Sequence, residues 1–370
     1  MEILNLKNKN IIIINNNMKI GGVQKSLLNL VKEISKDNNV TLLLYAPVGA
    51  YMNMLPENVK TIDAGKIMSI LGLSHSEAKR CGLGVISTFF RAITKVLGFP
   101  LVIRLMMLFS RKIKTEYDIA ISYLQDSATK KFYGGCNLYT IKKVKSKKYI
   151  TFIHSDYSCF GGNTKHNINI LSKFDEIALV SKSCKSIFDS MVPHLSYKSM
   201  VVYNQIDENG VLALANDTPV VYNKTKIQLI SVSRITHEKG LERLVQAFNK
   251  VERCYSDKLE LHIVGDGKMF DEINNLVMQL KLNDKIFFHG EQYNPYRYMK
   301  NADILVISSY QEAAPMVIGE AYALGLKVLS TKTSSAEEMI DKDHGWVCEN
   351  SEEGLTSALC DIAKEGNGRL

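Results

Sequence analysis

The sequence predicts an α/β protein of two doubly wound domains, each built on a parallel sheet. Three observations carry this. At 370 residues the chain exceeds what a single hydrophobic core usually serves. Short apolar runs alternate with helical patterns along its whole length, as βαβ units require. Between the two series of runs lies NQIDENGVLALANDTPVVYNKTK (204–226), polar and turn-rich enough to suit a linker, which divides the chain into residues 1–205 and 206–370.

In the first half the strand-like runs are IIIIN (11–15), VTLLLYA (40–46), YDIAISY (117–123), KYITFIH (148–154), EIALVS (176–181) and SMVVYN (199–204). In the second they are IQLISVS (227–233), LELHIVG (259–265), KIFFHG (285–290), DILVISS (303–309) and KVLS (327–330). Each half opens with a strand, a short loop and a helix. Strand C-termini of two such domains would face a cleft between them, and in open α/β sheets ligands bind outside those carboxyl ends.

Composition narrows the class. Hydrophobic residues make up 46% and charged residues 23%, ordinary for a soluble globular protein. The seven cysteines are scattered and form no C-x-x-C pair, which argues for a reducing compartment without a disulfide framework or cysteine-based zinc site. The opening apolar run is too short for a signal peptide or spanning helix, so the chain reads as cytoplasmic. The net charge of +8 is uneven: residues 80–114 hold seven basic residues and no acidic one, interleaved with large apolar residues. A second basic cluster is IKKVKSKK (141–148). Two readings fit 80–114: a peripheral element on an anionic membrane surface, at the inner face of the cell membrane, or core helices whose charges reach solvent. Nucleic acid is not expected, because no recognition module or aromatic-basic stacking pattern appears.

Three local patterns carry chemistry. After the first strand, Gly21 and Gly22 precede a helix with apolar residues at 27, 28, 30, 31 and 34. Paired glycines let backbone approach a ligand, although a plain turn explains them equally well. After strand 227–233, Arg234 and Lys239 flank a strand-to-helix turn. Two fixed cations there suit a diphosphate better than chance surface charge does. Finally, EAAPMVIGE (312–320) puts Glu312 in the loop after a buried strand and Glu320 inside the next helix, with Pro315 expected at the first helical position and Gly325 ending that helix.

With these residues assembled, the chain resembles the retaining glycosyltransferases of family 4, the E-x7-E enzymes, over residues 11–345. The elements in register are GGVQ, His154 after its strand, SVSRITHEKGLERLVQAF and EAAPMVIGEAYALGLKVL. The resemblance implies the GT-B fold: two facing Rossmann-like domains, the N-terminal one (1–205) binding acceptor and the C-terminal one (206–370) binding a nucleotide-diphosphate sugar, UDP-linked. It assigns Glu312 to the donor sugar's hydroxyls and Glu320 to the ribose. The backbone of Ala313, Ala314, Pro315, Met316 and Val317 would meet the sugar. Arg234 and Lys239 would hold the diphosphate, with the Gly21–Gly22 loop closing on it. Gly265, within VGDG, and GEQYN (290–294) would line the nucleobase pocket, where Tyr293 or Tyr296 would stack. His154 would reach the sugar near the reacting carbon.

The implied reaction is metal-independent hexosyl transfer with retention, without cofactor. The acceptor expected from the basic, apolar helices is a glycan or lipid-linked glycan, in bacterial surface polysaccharide or capsule synthesis. Asp341 and Asp343 read as surface charge rather than metal ligands. The chain departs from the family pattern at Ala313 and Ala314, where glycine and an aromatic are usual, at Gln205, where glycine is usual, and in stopping before the helix that crosses back to the first domain. The rival readings are an epimerase or phosphorylase on the same fold, and a catalytically silent partner that binds nucleotide sugar or supports a transferase complex.

Overall fold

The computed structural model describes residues 3–365. They form two compact units that divide after Gln205.

In unit 1 the strands are β1 (Asn10–Asn15), β2 (Asn39–Leu44), β3 (Lys60–Asp63), β4 (Glu116–Ser122), β5 (Lys145–Ile153), β6 (Glu176–Leu179) and β7 (Ser199–Val201). They pair in parallel in the order β3-β2-β1-β4-β5-β6-β7. The order reverses between β1 and β4, the kind of switch point beyond whose strand carboxyl ends open α/β sheets bind ligands. Alternate residues of β1 enter different cores: Ile12 and Ile14 pack on one face of the sheet, Ile11 and Ile13 on the other. A sheet covered on both faces explains why β1 reads as an unbroken apolar run. The edge strand β3 left no such trace, because its four residues, KTID, are exposed or half-buried.

The basic segment 80–114 holds the helices Gly84–Leu97 and Phe99–Leu108. Their apolar residues divide by face. Phe90, Phe99 and Met106 are in the core, whereas Phe89, Leu105 and Phe109 are 55%, 42% and 66% exposed. Each helix therefore has a core face and an exposed apolar one. In the second basic cluster, Lys147 pairs with Asp118 and Lys148 with Glu176. Among the described residues, no helix is long and apolar enough to cross a membrane.

Unit 2 contains β8 (Ile227–Val232), β9 (Leu259–Val264), β10 (Ile286–Phe288), β11 (Ile304–Ile307), β12 (Lys327–Thr331) and β13 (Gly345–Cys348). The parallel order is β10-β9-β8-β11-β12-β13, reversing between β8 and β11. Here too the sheet is covered on both faces, with Leu229 and Val306 in one core and Ile230 and Leu305 in the other.

Two expectations need correction. The stretch 204–226 is not simply linker, since Glu208–Asn216 is a helix of unit 2. Asp207 caps it by accepting the Gly210 N–H, and Val211 and Ala215 are buried. Burial overrides a turn-like composition there. Pro315 is the N-cap rather than the first helical residue: its ψ of 119° is extended, and the helix is Met316–Ala323. Gly325 follows that helix at φ +75°, the left-handed position that ends helices.

Candidate active site

In unit 2 three of the candidate residues gather at the switch point. The loop after β8 carries Arg234 and Lys239, the loop after β11 carries Glu312, and β8 and β11 are neighbours. The two loops are stitched together. Ser308 Oγ donates to the Lys239 carbonyl at 2.9 Å, and the Tyr310 N–H to the Glu238 carbonyl at 2.9 Å. Gly240, at φ +61°, makes this approach feasible, because a Cβ there would lie 2.2 Å from the Ser308 carbonyl oxygen.

Lys239 Nζ meets Glu312 Oε1 at 2.6 Å, and Ser309 Oγ donates to the same oxygen at 2.6 Å. The Glu312 carbonyl accepts from Ser334 Oγ at 2.8 Å. Two residues assigned to different parts of a donor thus hold each other. Arg234 is turned elsewhere: its side chain is 68% exposed and pairs with Glu238 at 3.2 Å.

Glu320 is buried inside the helix Met316–Ala323 and accepts from the Tyr296 hydroxyl at 2.7 Å. This removes Tyr296 from the stacking role considered for it, since its ring is buried and its hydroxyl is used; Tyr293 is half exposed. Ala313 and Met316 are buried, and Ala314, Pro315 and Val317 half-buried, beside the N-terminus of that helix. The first amides of a helix lack intrahelical partners and carry partial positive charge. Gly265 sits where β9 passes the end of β8: its N–H donates to the Gly290 carbonyl, and a Cβ would lie 1.8 Å from the Ser233 carbonyl oxygen.

One residue the sequence reading passed over organises this half. Arg243, in the helix Leu241–Cys254, is buried and donates from Nε and Nη2 to the Ser308 carbonyl at 2.9 and 2.6 Å. Nη2 also reaches Asn350 Oδ1 at 2.7 Å, and the guanidinium lies 3.9 Å from the Tyr310 ring centre. A charge among the buried Leu241, Leu244 and Val245 was the signal available in the sequence.

In unit 1, Gly21 caps the helix Gly22–Ile34 after β1, and His154 follows β5, with β4 between the two strands. Neither glycine is demanded by local sterics. Gly21 has an extended φ of 163°, and a Cβ on Gly22 would meet nothing within 4 Å. The preceding loop is pinned by Asn17 Nδ2 donating to the Gly72 carbonyl at 2.7 Å and by Lys19 pairing with Glu77. His154 stacks on Phe152 and packs against Tyr123. Burial pushes its pKa down to about 4, against a hydrogen bond to the Tyr123 backbone that raises it. The ring is neutral at ordinary pH, and its Nε2 is buried without a partner. With the other nitrogen donating to backbone, Nε2 is a lone-pair acceptor.

Comparison with known proteins bears on both units. Residues 216–367 match the family Glycosyl transferases group 1. The chain is similar to N-acetyl-alpha-D-glucosaminyl L-malate synthase of Bacillus anthracis, at 29% identity over 58% of this chain and 57% of that protein. It is also similar to the N-acetylgalactosamine-N,N'-diacetylbacillosaminyl-diphospho-undecaprenol 4-alpha-N-acetylgalactosaminyltransferase of Campylobacter jejuni, at 26% identity over 48% of this chain and 50% of that one. The chain therefore spans about half the length of the curated relatives it matches. The crystal structure of Anabaena Alr3699/HepE in complex with UDP-glucose superposes with a TM-score of 0.65, covering 97% of this chain and 89% of that one at 16% identity. The fold is GT-B, two parallel-sheet α/β domains.

Proposed function

We propose that the protein is a retaining, metal-independent glycosyltransferase that moves a sugar from a UDP-linked donor to a glycan or lipid-linked glycan, in bacterial surface polysaccharide synthesis. The observation that carries this reading is the unit 2 switch point, where Lys239 and Glu312 meet while Glu320, one turn-rich segment on, is buried and oriented by Tyr296. The names of the similar proteins support it: HepE was crystallised with UDP-glucose, and the Campylobacter relative is named for a diphospho-undecaprenol acceptor.

In this account Arg234 and Lys239 take the diphosphate charge, Glu320 the ribose hydroxyls and Glu312 the donor-sugar hydroxyls. His154 Nε2 accepts a hydrogen bond from the donor sugar, and the Gly21–Gly22 backbone approaches the diphosphate. As the C1–O bond to the diphosphate breaks, its electron pair goes to the phosphate oxygen. The acceptor hydroxyl bonds to C1 on the same face, and its proton passes to that phosphate oxygen. The oxocarbenium-like transition state is met by preorganised charge and positioning.

The acceptor end is assigned to an anionic membrane surface. Val85, Phe89, Val96, Leu101, Leu108 and Phe109 are exposed in a segment whose ionised residues are all basic. Apolar insertion and attraction to anionic lipid reinforce one another. Sedimentation with anionic and neutral vesicles checks this arm: equal indifference at low salt removes it.

The whole reading is tested by incubating the purified protein with a panel of nucleotide sugars and assaying nucleoside diphosphate release. Release from one donor class, lost in the Arg234→Ala, Lys239→Ala double variant, supports the enzyme. Binding of donor with no turnover in the presence of polyprenyl-diphosphate glycan acceptors favours the silent partner.

A further inference from the structure

The pair Lys239–Glu312 joins the cation assigned to the diphosphate to the carboxylate assigned to the sugar. Their side chains are only 19% and 13% exposed, so this contact is screened far less than the exposed Arg234–Glu238 pair. Their backbones are also fixed, since the Lys239 and Glu312 carbonyls each accept a serine hydroxyl and Arg243 grips the Ser308 carbonyl between them. Neither side chain reaches a ligand as a free charge.

We infer that Glu312 is a specificity-determining residue that holds Lys239 in check and disfavours free nucleoside diphosphate relative to the intact sugar donor. This rests on the nucleotide-sugar reading of the site. A free nucleoside diphosphate must take Lys239 from Glu312 and set its own negative charge beside a carboxylate left without its cation. An intact donor also takes Lys239, but its sugar hydroxyls donate to Glu312 and compensate the carboxylate. Only a difference in affinity between the two ligands shifts the equilibrium, and the sugar supplies it. Once the sugar has been transferred, the remaining diphosphate has no hydroxyls to offer, and Glu312 recovers Lys239. The ion pair thereby favours product release.

The test is calorimetric titration of the full chain with UDP, GDP and ADP. Glu312→Gln keeps the shape and removes the charge, and should bind the preferred diphosphate at least about fivefold more tightly than wild type, the lower end of typical couplings between sites. In a Lys239→Met background the same substitution should raise affinity by a smaller factor than in wild type, because the cation to be released is gone and only the carboxylate's repulsion of the diphosphate remains to be relieved. Glu312→Ala should change affinity in the same direction as Glu312→Gln, which guards against one misfolded variant. Diphosphate affinity equal to or weaker than wild type in both Glu312 variants overturns the inference while leaving the nucleotide reading intact. That reading is scored by Glu320→Ala, which should weaken diphosphate binding; no binding of any diphosphate by wild type overturns both.

Discussion

Arg234 and Lys239 carry the same charge into different surroundings. Lys239 is enclosed with Glu312, while Arg234 stands in solvent beside Glu238. An enclosed, preorganised cation gives up more transition-state stabilisation when removed, roughly 2.7–4 kcal/mol for groups of this kind. Lys239→Ala is therefore expected to lower turnover at saturating donor by roughly 100- to 1,000-fold, and Arg234→Ala by a smaller factor. Steady-state kinetics beside a thermal melt checks this: a larger loss in Arg234→Ala reverses the ranking. At this scale the sequence named candidate residues but not how they are engaged. Spacing placed Glu312 and Glu320, and a buried strand before the loop argued for a ligand-facing position. Nothing in spacing shows that Glu312 holds Lys239 or that the Tyr296 hydroxyl belongs to Glu320 rather than to a stacked base. Those are long-range contacts, set by how strands pair.

At the scale of elements, the loop 308–312 is held at successive carbonyls by Arg243, by Thr331 Oγ1 at Ser309 (2.7 Å), by Asn350 Nδ2 at Tyr310 (3.0 Å) and by Ser334 Oγ at Glu312, and Arg243 carries the only charge among them. Arg243 donates twice to the Ser308 carbonyl, reaches Asn350 and packs on Tyr310. Replacing it with methionine keeps apolar volume and strands a buried carbonyl. Hydrogen bonds from charged groups contribute about 1.5–3 kcal/mol each and orphaned partners cost about 1–3 kcal/mol, so Arg243→Met should destabilise unit 2 by about 2–4 kcal/mol. Hydrogen exchange of the 308–312 amides should accelerate more than that of β9; uniform exchange across the unit would deny the loop-positioning role. Both sheets were legible as elements because strands covered on two faces must be apolar throughout. The strands that escaped, β3 and β13, are edge strands, and KTID and GWVC are short. The helix Glu208–Asn216 escaped because asparagine and glycine dominate its ends, while Val211 and Ala215 bury its inner face.

Across the whole molecule, buried histidines give the two units different acid responses. In unit 2, His262 Nε2 lies 2.8 Å from Gln228 Oε1 and Nδ1 lies 3.1 Å from His289 Nε2. Gln228 donates its amide to the Asn223 carbonyl, so its oxygen accepts from His262, whose other nitrogen accepts from His289. Burial first, then the neighbouring His289, lowers the His262 pKa to about 4, and burial lowers that of His289. The unfolded chain takes up protons near pH 6.5 that the folded unit refuses. The stability from these depressed values is therefore complete above pH 6.5 and declines as pH falls toward 4. Unit 1 also holds depressed histidines, His154 and His166, the latter lowered by partial burial and then by Arg104 and Lys173, but sets against them Asp126, whose carboxyl burial raises from 3.8 to about 6 despite the Gly135 N–H it accepts. From pH 6 down to 4 the folded unit holds that proton more tightly than the unfolded chain, which offsets part of the histidine effect. The single tryptophan, Trp346, lies in β13 and reports on unit 2 alone. Tryptophan-detected melts should fall more steeply between pH 7.5 and 4.5 than melts followed by far-UV circular dichroism, and His262→Gln should flatten that slope; parallel slopes would deny the histidine account. The central claim, a nucleotide-sugar site at the β8–β11 switch point, is tested most directly by hydrogen–deuterium exchange of the whole chain with and without its preferred nucleotide sugar. The account predicts slowed exchange at residues 234–240, 264–267 and 308–320. Protection absent from all three segments, with the donor demonstrably bound, would contradict it.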